Sequence, residues 1–221
     1  DLKKSFGGLH VLKGVSFEIN GPELICLIGP NGAGKTTLTN VLDGAIKPNS
    51  GTVYLGGNRI DQLQPFEVAR HGLGRTFQVT RSFRRMTVLE NLMVPALALD
   101  QGLSRSEIDD KAMEVLEFLT VDHLRNEYAK SLSGGQQKLL ELGRLLMLNP
   151  DVIILDEPFA GVHPKLMEII YKYIERVNND GTAIILISHQ MDSIFSLCKR
   201  LLVLNYGDLI ADGTPDVVKN D

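Results

Sequence analysis

Gly29-Pro30-Asn31-Gly32-Ala33-Gly34-Lys35-Thr36 fits the pattern G-x-x-x-x-G-K-[ST]. Its flanks give the match weight, because Leu24 to Ile28 is a continuous apolar run that reads as a buried strand and Lys35 through Leu42 reads as a helix. A strand feeds a glycine loop, which feeds a helix. In that setting glycines let backbone N–H groups turn inward around phosphate oxygens, and the helix start adds the positive end of its dipole. Lys35 then reaches the β and γ phosphates, the Thr36 hydroxyl ligates Mg²⁺, and Asn31, Gly32, Ala33, Gly34 and Thr37 complete the cradle. The competing reading is a glycine-rich turn with no function. Taken alone, the loop leaves nucleotide kinases, GTPases, helicases and transport motors open.

Working outward, Val152-Ile153-Ile154-Leu155 is an apolar strand that ends in Asp156, which places that carboxylate at the sheet edge beside the loop, where it would hold the Mg²⁺ shell. Glu157 follows at once. It would orient a water for in-line attack on a γ-phosphate, and its alternative is an acid at a helix start. A helical segment from Pro164 to Val177 separates this strand from a second buried run, Ala183 to Ser188, and such alternation predicts a parallel sheet. Val11 to Ile19 and Thr52 to Leu55 read as further strands, Arg200 to Leu204 with Leu209 to Ala211 as a terminal hairpin, and Pro65 to Leu148 as mostly helical.

Composition narrows the function. Of the 221 residues 43% are hydrophobic and 23% charged, which excludes a disordered chain, and one large domain or two small ones would fit that length. Lys plus Arg number 23 against 27 Asp plus Glu, a net charge of −4, so no global basic field exists to hold nucleic acid. The longest apolar stretches, such as Leu92 to Leu99, fall far short of the roughly 18 residues of a spanning helix. Cys26 and Cys198 lie far apart and form neither a metal spacing nor a disulfide framework, as in a reducing compartment. The chain starts at Asp1 with no apolar signal segment, and a cytoplasmic location is expected.

Leu132-Ser133-Gly134-Gly135-Gln136 puts a hydroxyl and two glycines at the start of a helix read over Gln137 to Met147, either as a second anion site or as a plain N-cap. This segment is identical to the signature motif of the ATP-binding cassette (ABC) family, and it stands between the phosphate loop and Asp156-Glu157 in that family's order. The chain therefore resembles an ABC ATPase over essentially its whole length. On that resemblance Phe6 is the aromatic that stacks on adenine, with Val11 beside it in the nucleotide set, although a lone Phe is usually core. Gln78, within Arg75-Thr76-Phe77-Gln78, touches metal and catalytic water, and His189 is the switch histidine at the γ-phosphate, where a lone strand-end His would be structural. Glu157, His189, Gln78 and Lys35 are then catalytic, Thr36, Gln78 and Asp156 hold Mg²⁺, and Ser133, Gly134, Gly135 and Gln136 cap ATP.

One stretch departs from the general pattern, since Ala160-Gly161-Val162-His163 replaces the Ser-Ala-Leu-Asp of many members and removes the usual cross-subunit polar contacts. Gly161-Val162, Phe6-Gly7-Gly8-Leu9, Arg75 to Gln78 and Met86 to Leu92 are instead similar to the branched-chain amino acid importers. Phe159 to Val162 also resembles the lipopolysaccharide-export ATPase, and a soluble ABC ATPase without a permease is a third possibility. Arg75, Arg81, Arg84 and Arg85 form a basic cluster, either a partner contact or a solvated face. Gly143, inside the signature helix, is disfavoured by roughly 1 kcal/mol relative to Ala unless close packing requires it.

The resemblance implies an α/β fold: a P-loop NTPase with a RecA-like parallel core, an N-terminal antiparallel β subdomain and an inserted helical subdomain. One ABC ATPase domain would span 1–221, with 1–78 and 149–221 as core and 79–148 as the helical part. ATP and Mg²⁺ are the implied ligands. The implied partners are transmembrane permease subunits, a second copy or paralogous ATPase in a head-to-tail dimer and, indirectly, a substrate-binding protein, at the cytoplasmic face of the membrane. Phe83, Met86 and Val88, after Gln78, are expected to form the groove that receives a permease helix.

Overall fold

The computed structural model describes residues 1–76, 82–99, 102–190 and 195–218. The chain opens with an antiparallel hairpin, Leu2–Phe6 (β1) against Leu9–Val15 (β2). Leu24–Ile28 (β3) runs into the glycine loop and Lys35–Leu42 (α1). Tyr54–Leu55 (β4) and Asn58–Arg59 (β5) pair as a short hairpin, and Pro65–Arg70 (α2) and Leu73–Arg75 (β6) follow. The middle comprises Val88–Leu99 (α3), Arg105–Phe118 (α4) and Gly134–Leu148 (α5), which pack on one another. Then come Val152–Asp156 (β7), Pro164–Asn179 (α6), Ala183–Ile187 (β8), Arg200–Asn205 (β9), Asp208–Gly213 (β10) and Pro215–Val218 (α7).

Six strands form one sheet in the order β10-β9-β3-β8-β7-β6, parallel throughout except for β10, which returns antiparallel to β9. Its inner strands are apolar at nearly every position because both faces are covered. Side chains alternate across a strand, so Leu24, Cys26, Ile153, Leu155, Ile184 and Leu186 face the α3 to α6 side, while Ile25, Leu27, Ile154, Ile185 and Ile187 face α1 and the β1–β2 hairpin. Each such Leu or Ile contributes on the order of 1.5–3 kcal/mol by leaving water. The sheet is thus a rigid floor, and the phosphate loop and Asp156 both leave it at the C-terminal ends of its parallel strands.

Three expectations shift. The strand expected over Val11 to Ile19 stops at Val15, because its partner β1 begins at Leu2, the residue paired with Val15. The helix-rich middle contains β6, a three-residue strand held by β7. The cysteine reading is corrected: Cys26 and Cys198 are 172 residues apart in sequence, but the fold brings their Cα atoms to 5.8 Å and joins them in a disulfide. Sequence separation says nothing about two positions that the fold brings together, here Cys26 on β3 and Cys198 just before its neighbour β9.

Candidate active site

The loop between β3 and α1 is shaped by glycines. Gly29, Gly32 and Gly34 have φ of 147°, 80° and 109°, a region that other L-residues rarely adopt. A Cβ on Gly29 would run into the Leu204 carbonyl of β9, and one on Gly34 would sit 3.0 Å from the Val11 carbonyl oxygen of β2. Only glycine fits either place. The Ala33 carbonyl accepts from the Gly207 N–H at 2.9 Å, which ties the loop to the β9–β10 turn. Asn31, Gly32 and Thr36 are exposed, Thr37 is half-buried, and no side chain caps the start of α1. Its amides are directed at the space above the loop. The Lys35 ammonium donates to the Gly29 and Pro30 carbonyls at 2.6 and 3.0 Å. Burial depresses its pKa, and the charges of Glu157 and Asp156 oppose that shift, which shows that the carboxylates lie within electrostatic reach of the loop.

Asp156 ends β7, and its N–H donates to the Thr76 hydroxyl at 2.9 Å. Its carboxylate receives Arg75 Nη2 at 3.3 Å, while Arg75 Nη1 binds Asp43 at 2.6 Å and Asn40 at 2.7 Å at the end of α1. One buried guanidinium therefore joins the β7 acid to the helix that leaves the phosphate loop. Glu157 has a φ of 50°, left-handed for a residue that carries a side chain. Its N–H donates to the Ile187 carbonyl at 2.9 Å, and its own carbonyl accepts from Lys138 Nζ at 2.6 Å. The buried Oε1 has no hydrogen-bond partner among the described residues, and His189 Nε2 approaches it at 3.5 Å. Such a backbone conformation with an unsatisfied carboxylate oxygen is the kind of local compromise that collects where chemistry occurs.

Ser133 caps α5: its hydroxyl accepts from the Gln136 N–H, and the Gln136 side chain accepts from the Ser133 N–H at 2.9 Å. These bonds stay within one exposed turn and do not reach the phosphate loop. The structure brings Asp156, Glu157 and His189 within reach of Lys35 and its neighbour Thr36, while Ser133 and Gln136 cap the start of α5. Phe6 ends β1 with half its area exposed, the Lys4 ammonium 5.2 Å from its ring, on the hairpin whose Val11 backbone lies against Gly34. Gln78 lies outside the described residues, as does Arg81.

The chain matches the ABC transporter family over residues 12–160. It is an ABC ATPase. The cassette is 38% identical over 224 residues to the probable branched-chain amino acid transport ATP-binding protein LivG of Methanocaldococcus jannaschii, covering 96% of this chain and 87% of that protein. It is 36% identical to the lipopolysaccharide export system ATP-binding protein LptB of Escherichia coli strain K12, covering 100% and 91%. A dimeric ATP-binding cassette in a post-hydrolysis state with ADP and Pi superposes with a TM-score of 0.86 at 26% identity, covering 96% of this chain and 95% of that one. No helix among the described residues is long and apolar enough to cross a membrane.

Several readings of the cassette's sequence change. Arg75 does not belong to an exposed basic cluster, because it is buried in the Asp43–Asp156 pair, whereas Arg84 and Arg85 are exposed. Val88 is buried in the core and not in the expected groove, whereas Phe83 lines a groove of about 500 Å³ bounded also by Pro65, Val94, Pro95, Arg144 and Leu148. His163 is the N-cap of α6 and accepts from the Lys165 N–H at 3.3 Å. Arg75 and Lys138 were missed as site residues. A basic residue just before Thr76-Phe77-Gln78 or at the fifth position of the signature helix has no local signal; only the fold shows what it touches.

Proposed function

We propose that this cassette hydrolyses ATP to drive a membrane permease, as one half of a head-to-tail pair. The observation that carries this reading is the convergence at one sheet edge of Lys35 in the phosphate loop, Asp156, Glu157 and His189. The Ser133 to Gln136 turn, a capped helix start, is read as the surface that meets the nucleotide of a second copy or a paralogue. The phosphate loop, whose glycines let its backbone press against β2 and β9 and curl at positive φ, and the unsatisfied Glu157 oxygen fit a triphosphate and a water. Lys35 turns from the Gly29 and Pro30 carbonyls to the β and γ phosphates, Phe6 and Val11 flank the base, and Glu157 accepts the proton of the water whose oxygen attacks the γ-phosphorus. The bond to the β-phosphate breaks, giving ADP and phosphate, with His189 contacting the γ-phosphate. Mg²⁺ held by Thr36, Asp156 and Gln78 would neutralise charge on the phosphate oxygens. Residues 1–78 and 149–221 form the core that binds nucleotide, and 79–148 the helical subdomain that presents the signature turn and the Phe83 groove to a permease on the cytoplasmic face.

Likeness to LivG favours branched-chain amino acids as the cargo, supplied through a substrate-binding protein. Likeness to LptB keeps lipopolysaccharide export as the second reading. Deleting the gene and measuring uptake of radiolabelled leucine separates them. Lost leucine uptake that returns with the wild-type gene supports import; intact uptake with lipopolysaccharide retained at the inner membrane supports export.

A further inference from the structure

We propose that Lys138 is a positioning residue, one that fixes the direction of the Glu157 carboxylate and ties it to the helix carrying the signature turn. This rests on the reading of Glu157 as the base. Lys138 lies on α5, five residues beyond Ser133, and its ammonium leaves that helix to donate to two carbonyls, Glu157 at 2.6 Å and Ala160 at 3.3 Å. Both carbonyls belong to the turn by which the chain leaves β7; the Glu157 carbonyl also accepts from the Ala160 N–H of that turn at 3.2 Å, so Lys138 is its second donor.

Holding the Glu157 carbonyl matters because its peptide plane sets ψ there, and φ is already left-handed at 50°. A residue in that region persists only when its surroundings hold it. On one side the sheet does so, through the Glu157 N–H and the Ile187 carbonyl at 2.9 Å. On the other side the carbonyl is held twice, by the Ala160 N–H of its own turn at 3.2 Å and, from α5, by the shorter bond of Lys138 at 2.6 Å. With both peptide planes fixed, the Cα–Cβ bond has one direction, and the carboxylate is placed near His189 with Oε1 free of other bonds.

The ammonium is half-buried, and desolvation lowers its pKa, opposed by the charges of Glu141 on its own helix and of Glu157 and Asp156 from β7. A lysine drawn into such a place needs carbonyl partners to offset lost water. The bond also has a mechanical consequence. The N-terminal turn of α5 is the surface offered to the second copy's nucleotide, so any displacement of α5 on closure reaches Glu157 of its own site through Lys138. Contact at one composite site thereby adjusts the base of the other.

The test compares Lys138→Met, which keeps the stem and removes the donor, with Lys138→Arg, which restores a cationic donor, and includes Glu157→Gln as reference. Turnover at saturating ATP, ATP affinity by calorimetry and melting temperature are measured for each. Lys138→Met should lower kcat by about tenfold or more, as expected for a misplaced catalytic group, with ATP affinity and melting temperature close to wild type. Lys138→Arg should recover most of the loss. If Lys138→Met does not fold, Lys138→Leu, which likewise has no donor, takes its place and should show the same split. Wild-type kcat in the Met variant, a loss of affinity matching the loss of kcat, or an Arg variant no better than Met overturns the inference. Should Glu157→Gln itself turn over ATP at the wild-type rate, the reading of Glu157 fails; should it be inactive while Lys138→Met is normal, the positioning role alone fails.

Discussion

The Lys35 ammonium donates to two carbonyls of its own loop, so a phosphate that takes its place gains a cation already aimed at the cradle and partly stripped of water. A charge-assisted hydrogen bond contributes on the order of 1.5–3 kcal/mol. Lys35→Ala should therefore weaken ATP binding by roughly 10- to 100-fold and abolish turnover, which calorimetry with a non-hydrolysed analogue would measure; unchanged affinity would place the phosphates elsewhere. This residue was legible in the sequence because Gly29, Gly34 and Thr36 stand at fixed offsets within eight residues around it. Arg75, which joins Asp156 to Asp43, was not, because those partners come from the end of β7 and the end of α1 and a lone arginine carries no pattern. The Cys26–Cys198 disulfide was hidden for the same reason. Alkylation under denaturing, non-reducing conditions should label neither cysteine, and after reduction both.

At the scale of elements, long periodic segments were readable and short ones were not. Lys35–Leu42 and Leu24–Ile28 occur as the pattern predicts, whereas β6 has only Leu73, Gly74 and Arg75 and owes its strand conformation to pairing with β7. Gly143 shows how packing overrides propensity. A Cβ there would lie 2.8 Å from Leu92, 3.0 Å from Leu119 and 3.1 Å from Val115, all buried, so the glycine lets α3 and α4 close on α5. Gly143→Ala gains about 1 kcal/mol of helix propensity but incurs overpacking of about 1–3 kcal/mol, and the melting temperature should fall. A rise would show that those side chains give way easily. The β4–β5 hairpin depends on Asp61, which is buried and accepts from Arg59 at 2.9 and 3.0 Å, Gln62 at 2.9 Å and the Val53 N–H at 3.1 Å. The bonds from Arg59 above all hold its pKa well below the carboxylate range, so its stabilisation is present above about pH 4 and fades as pH falls further. Denaturant titrations of wild type and Asp61→Asn should differ clearly at pH 7 and converge toward pH 2.

For the whole molecule, the sequence disclosed the sheet, the loop and the order of motifs, since each is a local pattern. It did not disclose that Lys138 of the signature helix bonds the Glu157 carbonyl, which is a property of how α5 lies beside the end of β7. From the proposed head-to-tail pair the last expectation follows. Glu157→Gln keeps the side-chain shape and leaves Lys35, Thr36 and Asp156 to bind nucleotide, but the amide no longer accepts the proton of the attacking water. Binding survives while chemistry stops. On the proposed arrangement, ATP bridging Lys35 of one copy and Ser133 of the other would stabilise the pair by mass action for as long as it stays intact, so the variant should elute from gel filtration as a dimer with ATP and a monomer without it. Wild type under the same conditions should hydrolyse its ATP and remain largely monomeric. Adding Ser133→Arg puts a bulky cation on the exposed turn that caps the second copy's nucleotide, and the double variant should return to a monomer although its phosphate loop is untouched. Because Ser133 makes its hydrogen bonds only within its own turn, that substitution should move the melting temperature by no more than the loss of an N-cap, about 1 kcal/mol. A Glu157→Gln/Ser133→Arg protein that still dimerises with ATP would mean that the signature turn does not meet the nucleotide, and the site would have to be completed by another surface.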